Sequence, residues 1–246
     1  MALHEEYVKR GNWFFRYRSY LPIIFLILLL IEMRNFEYLG GQEIYHRIWL
    51  LFSVFISLAG LVVRGLAIGY SPRKTSGRNT KKQVAESLNN TGIYSVVRHP
   101  LYLGNFLIWL GVAFYPHQWW FIVLAILLFW IYYEQIMFAE EAFLRQKFGQ
   151  DYEQWAKQTP AFIPSLKKWS RPDRQFSFRK VVKREYIGFF TIILVFTLLE
   201  VTAGFVVYHK FHVALFWQIV FIVSFIFYLT IRFINKKTKL LYVPEA

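Results

Sequence analysis

No cysteine occurs anywhere in the 246 residues. That absence excludes disulfides, thiol nucleophiles and thiolate metal sites. No P-loop, G-x-S-x-G or dinucleotide-binding glycine fingerprint is present either, so those scaffolds for phosphate, acyl and cofactor chemistry lack their signatures. No repeat period stands out. Acidic residues are few, 15 against 29 Lys and Arg, which leaves a formal charge of +14. The first apolar run starts late and is followed by Glu32 and Met33, not by small residues. It therefore reads as a retained span and not a cleaved leader.

What fills the chain is apolar mass. Hydrophobic residues make up 56% and aromatics 21%, with 26 Phe and 9 Trp, gathered into runs. A membrane crossing takes about 20 mostly apolar residues. Six runs qualify or come close: Tyr17–Met33, Ile48–Ala67, Tyr102–Tyr115, Trp119–Phe138, Ile187–Tyr208 and Val213–Phe233. The short ones can be accommodated by bilayer thinning and by snorkelling of neighbours such as Arg16 and Arg18. With the N-terminus inside, 26 of the 29 basic residues face the cytoplasm, and only Arg34, Arg47 and Lys210 lie opposite. The positive-inside rule then puts both termini in the cytoplasm. The expected fold class is all-α, a polytopic membrane helix bundle with about six spans. Basic residues spread over juxtamembrane loops argue against a nucleic-acid partner and for anionic headgroups.

Residues 1–63 read as an amphipathic lead-in, anchored by Trp13, Phe14 and Phe15, followed by a first hairpin. Residues 64–164 hold a polar loop over 70–98, a second hairpin turned at Pro116-His117-Gln118, and a helix running on to a C-cap at Gly149. Gly104 and Gly111 lie seven apart on one helical face, which permits close packing. Residues 165–246 hold a terminal hairpin, and the proline-containing basic stretch 160–186 reads as a linker.

Few polar groups sit where they need explaining. In "GIYSVVRHPLYLGN", residues 92–105, an Arg-His pair meets the mouth of a span. Pro100 suits the first turn of a helix, where its missing N–H costs nothing. The amides before it could then face an anion such as a carboxylate. Alternatively Arg98 snorkels and His99 caps the helix. Adjacent Glu140 and Glu141 lie on different helix faces. Glu141 suits an i,i+4 pair with Arg145, whereas Glu140 could accept from a ribose diol or an ammonium, or simply be solvated. Glu200, inside a span, calls for a partner or a ligand, and Arg64 snorkels or serves similarly. His209 and His212 lack a third ligand, so no metal site is expected.

Together, "LNNTGIYSVVRHPLYLGN", a tight hairpin and "EEAFLRQKFGQDYEQWAKQTPAFIP" resemble the isoprenylcysteine carboxyl methyltransferase family and, more loosely, the phospholipid N-methyltransferases. The resemblance runs from about Arg64 to Pro164. It implies an integral-membrane enzyme using S-adenosyl-L-methionine. By position it implies cofactor contacts from Gln83, Leu88, Asn89, Tyr94, His99, Pro100, Tyr102 and Glu140, with aromatic faces suited to the sulfonium. The family has a substrate-side Arg where this chain has Ile136, which puts a prenylcysteine carboxylate clamp in doubt. Nearby Tyr133 and Glu134 suit an amine or a protonated phosphate. The candidate catalytic side chains are Arg98, His99 and Glu134, and the candidate substrate contacts are Tyr133 and Glu200. Bacterial relatives that methylate lipid headgroups make a membrane lipid or lipidated molecule the expected partner, in a bacterial inner membrane with the site facing the cytoplasm. Two rivals are an NADPH-dependent reductase of the sterol reductase type, whose R-H-P-x-Y-x-G element lies near the C-terminus of more spans, and a non-enzymatic membrane protein that retains the fold.

Overall fold

The computed structural model of the protein describes residues 3–72 and 83–242. The basic run 73–82, part of the expected 70–98 loop, lies outside the described residues. Among the described residues there are eight α-helices and no strand, only an isolated antiparallel bridge between Gly92 and Ser170. The helices are α1 (Leu3–Tyr17), α2 (Leu21–Glu32), α3 (Glu43–Tyr70), α4 (Pro100–Phe114), α5 (Trp119–Phe148), α6 (Gln150–Gln158), α7 (Phe178–Tyr208) and α8 (Leu215–Lys237).

Four of them, α3, α5, α7 and α8, are long and apolar enough to cross a membrane by length and composition. α4 is apolar but has only 15 residues, and α2 has 12. α1 and α2 pass the same test only as a pair, bent by 73°. Six spans are therefore not established by this measure; there are four, or five with the bent pair counted as one.

Local chemistry sets the boundaries. Pro100 occupies the first turn of α4, as its fixed φ and absent N–H favour. α5 continues unbroken for 30 residues and stops at Gly149, whose φ of +53° suits glycine and whose N–H donates to Arg145 O at 2.9 Å. The Ser177 hydroxyl accepts from the Lys180 N–H and opens α7.

Small residues let α3 and α4 touch backbone to backbone. A Cβ on Gly60 would stand 2.5 Å from Gly104 O, and one on Gly111 would stand 2.2 Å from Ser57 Oγ. The glycine face of α4 thus turns toward α3, the preceding helix, and not toward its hairpin partner α5. α7 lies along α3, and α8 packs on α7 with most of its apolar surface outward. α1 is held against α5, where a Cβ on Gly11 would come within 2.0 Å of Gln135 O and the Tyr132 hydroxyl donates to Phe14 O at 2.9 Å. Of the three expected anchors, Trp13 is exposed, Phe14 is half-buried and Phe15 is buried.

The stretch after α6 is no free linker at its start. It runs back along residues 92–99 as a strap. Arg98 N–H donates to Pro160 O, His99 N–H to Ala161 O, Ser165 N–H to Val96 O and Gly92 N–H to Ser170 O, at 2.9–3.2 Å. These bonds correct one expectation. The amides ahead of Pro100 already have carbonyl partners and do not present themselves to an anion.

Candidate functional site: a cavity at the mouth of the second hairpin

Where α6 and the end of α5 close on the start of α4 and the loop before it, they leave a cavity of about 540 Å³. That is within the range of small-molecule sites. Its walls come from the α1–α2 junction, the inner end of α3, the loop 83–99, α4, α5 and α7.

The Arg-His pair is fixed from several directions. His99 is 4% exposed at its side chain, and its Nε2 donates to Glu141 Oε1 at 2.9 Å while Nδ1 faces Glu140 Oε2 at 3.6 Å. Its ring stacks on Tyr102 with centroids 5.6 Å apart. Burial alone would lower the His99 pKa, but the two carboxylates outweigh it and hold it above the ordinary histidine value. Arg98 pairs with Glu141 at 3.0 Å and donates to Ala156 O at 2.8 Å. α6 also holds the loop through Trp155, whose Nε1–H donates to Tyr94 O at 3.0 Å, and the Lys147 ammonium reaches Ala85 O. Adjacent acids thus both serve one histidine. Glu141 does not pair with Arg145 as i,i+4 spacing suggests; Arg145 goes to Glu153 of α6, at 2.6 Å.

Gln83, Leu88, Asn89, Tyr94, Arg98, His99, Pro100, Tyr102 and Glu140 all line this one cavity. Glu134, Tyr133 and Glu200 do not. Tyr133 is buried just behind the wall, accepting from Asn105 Nδ2 at 3.3 Å. Glu200 sits 15 residues beyond Glu185 on α7, about 22 Å along the helix at 1.5 Å per residue. There it accepts from Tyr115 Oη at 2.6 Å and His46 Nε2 at 3.0 Å, and His46 in turn meets His117 at 3.1 Å. Its partners are the helix-pairing contacts that an intramembrane carboxylate needs, far from the cavity.

Sequence reasoning missed four contributors: Glu141, Trp155, the strap and the wall supplied by α7. On α7, Glu185 takes two bonds from Arg64, Nε to Oε2 at 2.9 Å and Nη2 to Oε1 at 2.7 Å. The remaining Arg64 nitrogen, Nη1, donates to Asn105 Oδ1. Arg64 is thus not a snorkelling side chain. Only a charge inside α7 near its start, in "KREYIG", hinted at this contact.

Residues 73–151 match the family model of phospholipid methyltransferases. That segment of the chain is similar to this family. A protein-S-isoprenylcysteine O-methyltransferase of Schizosaccharomyces pombe is 33% identical over 123 residues, covering 47% of this chain and 52% of its own length. A probable protein-S-isoprenylcysteine O-methyltransferase of Oryza sativa subsp. indica is 32% identical over 123 residues, covering 46% and 63%. The chain therefore spans only about half to two thirds of the curated relatives it matches. No solved structure matches. The family segment ends at 151, so the strap, α7 and the Arg64–Glu185 pair lie outside it. These relatives are eukaryotic and lend nothing to a bacterial setting.

Proposed function

We propose that the protein is an integral-membrane methyltransferase that uses S-adenosyl-L-methionine to methylate a lipid or lipidated acceptor, with its site at the cytoplasmic leaflet. One observation carries the reading. Eight positions that a resemblance to this family assigns to the cofactor, scattered from 83 to 140, converge on a single cavity.

The cavity's own chemistry fits that cofactor. Gln83 Nε2 is buried and has no partner among the described residues, so it is a donor in want of an acceptor. Tyr94 and Tyr102 offer aromatic faces to a sulfonium, and Glu140 offers a carboxylate to an ammonium or a ribose diol. S-adenosyl-L-methionine would supply a methyl carbon that passes from sulfur to the acceptor's lone pair in a single displacement. Catalysis is then chiefly a matter of holding the acceptor in line. Within the chain, His99 acts as a cationic tie between Glu140 and Glu141, because both its ring nitrogens face carboxylates. Arg98, tied to Glu141 and Ala156 O, holds α6 against the loop. Glu134, off the cavity, has no assigned part in this scheme.

The orientation rests on the basic loops, which flank this end of the bundle. A calorimetric titration of the purified protein with S-adenosyl-L-methionine and, separately, with NADPH decides between this reading and a reductase. We expect saturable binding of the former, weakened at least tenfold by Glu140→Ala. Binding of NADPH with no response to S-adenosyl-L-methionine would reject the proposal.

A further inference from the structure

We propose that residues 163–179, the strap and the first turn of α7, are a docking surface for anionic lipid headgroups, and that headgroups seated there hold the strap against the loop that carries Arg98 and His99. The inference rests on the membrane helices alone and not on the methyltransferase reading above.

The first argument is place. The segment winds around the inner ends of three helices. The Ser165 N–H donates to Val96 O, just ahead of α4, at 2.9 Å. Farther on, the Ser177 N–H donates to Gly69 O in the last turn of α3 at 3.0 Å. The Phe176 ring packs on that turn so closely that a Cβ on Gly69 would stand 2.1 Å from it. α7 then starts at Phe178, nine residues ahead of Ile187, where its apolar run opens. The segment thus lies where α3 and α7 leave the hydrocarbon, at the polar edge of the bilayer.

The second argument is charge. Residues 163–179 hold five basic side chains, Lys167, Lys168, Arg171, Arg174 and Arg179, against one acid, Asp173. Asp173 already accepts from the Thr91 hydroxyl at 2.9 Å, and the Lys168 ammonium donates to Gln158 O. The other four cations are exposed, and none has an acidic partner among the described residues. Positive groups gathered in one short segment without counter-charge repel one another and draw in anions.

The third argument separates a lipid surface from other sources of negative charge. Among those cations stand Leu166, Trp169 and Phe178, with Ile163 just ahead, each more than half exposed. A soluble anion offers these side chains nothing. Hydrocarbon would accept them but exclude the cations; on α8, whose apolar surface is turned outward, no charge occurs before Arg232. The interface takes both, because aromatic and aliphatic groups sink toward the acyl chains while Lys and Arg stay among the phosphates.

Docking there has a consequence for the cavity. The strap is bonded to its loop through the main chain, Arg98 N–H to Pro160 O and His99 N–H to Ala161 O, and both Arg98 and His99 line the cavity. Headgroups bind the strap where it lies along the bilayer edge and not where it has peeled away. They therefore favour the closed arrangement by their differential affinity for it.

The test is amide hydrogen exchange on the full-length protein in nanodiscs, read over the segments 92–99 and 160–170. One set of discs holds dioleoyl phosphatidylcholine alone, and the other holds equal parts of dioleoyl phosphatidylcholine and dioleoyl phosphatidylglycerol. The expected result is exchange at least about fivefold slower in the anionic discs, with the difference shrinking as salt is raised. Replacing Lys167, Arg171, Arg174 and Arg179 together by Gln should erase the difference and leave exchange in the phosphatidylcholine discs as in wild type. Equal exchange of the wild type in both discs, or a difference that survives the four substitutions, would overturn the proposal. So would the same slowing by inorganic phosphate added to the phosphatidylcholine discs, which would make the ligand a free anion. A second measurement does not depend on that variant: brominated phosphatidylglycerol should quench a share of the fluorescence that Trp169→Phe removes, and quenching unchanged by Trp169→Phe would also overturn the docking surface. No readout here involves a cofactor, so the outcome is separate from that of the titration with S-adenosyl-L-methionine.

Discussion

Glu141 accepts from His99 Nε2 and pairs with Arg98, at 2.9 and 3.0 Å, so Glu141→Gln removes one charge from two contacts while keeping the volume. Hydrogen bonds to charged groups contribute about 1.5–3 kcal/mol against about 1 for neutral ones. Two such differences, discounted because the Glu141 side chain is 23% exposed, give a loss of about 2 kcal/mol. In a protein of this size that lowers the unfolding temperature by roughly 4–8 °C. The loss also has a signed pH dependence. The folded-state pKa of His99 is raised by its carboxylates, so the stabilisation from protonated His99 is complete below its unfolded value of about 6.5. It disappears as pH rises through the higher folded value. The gap between wild type and Glu141→Gln should therefore be widest near pH 6. As pH rises through the raised folded value it should shrink toward the Arg98 share, about 1 kcal/mol. Thermal unfolding in one detergent across a pH series from 6 upward measures this. A gap that widens as pH rises would refute the view that a protonated His99 ties the two acids together.

Three further outcomes follow from the packing. Glu200→Gln should lower the unfolding temperature while leaving S-adenosyl-L-methionine affinity within about twofold, since the residue lies about 18 Å along α7 from Gly188, the last cavity-lining residue of that helix; a tenfold loss in the same titration would return Glu200 to the site. Ile136→Arg should cost several kcal/mol, because it forces a charge into a closed aromatic cluster, and unfolding at the wild-type temperature would contradict the burial seen here. Gly111→Ala should cost about 1–3 kcal/mol through overpacking, since its new methyl would stand 2.2 Å from Ser57 Oγ; a thermal melt unchanged from wild type would show that α3 and α4 can separate without loss.

Local signals were legible in the chain where a single segment determines them. Pro100 starts α4 and Gly149 stops α5 because each residue type answers a backbone constraint at its own position. The cavity wall from Gln83 to Tyr102 and Glu140 was legible because the "RHPLYLG" and "EEAF" elements bear a family likeness. Long-range pairings left no comparable trace. Glu141 looked like a helix-surface partner of Arg145, and only the tertiary arrangement shows that α6 takes Arg145 and leaves Glu141 to His99 and Arg98. The stretch 160–186 read as a linker because the strap at its start, bonded through its backbone, has no side-chain signature. Span counting faltered for a related reason: α2 and α4 are apolar but short, and hydropathy cannot say whether a short helix crosses or merely tucks in.

The Arg64–Glu185 pair also constrains how the protein is made. The two residues are 121 positions apart, so at roughly 5–20 residues per second the guanidinium leaves the ribosome about 6–24 s before its counter-charge exists. In that interval α3 must hold a charged side chain near its inner end, where unpaired arginine in hydrocarbon is costly and reaching the headgroups is the available relief. The cavity wall supplied by α7 is thus among the last parts to be completed. A nascent chain stopped after α6 would carry every position proposed for the cofactor yet still lack the carboxylate that holds Arg64 in place.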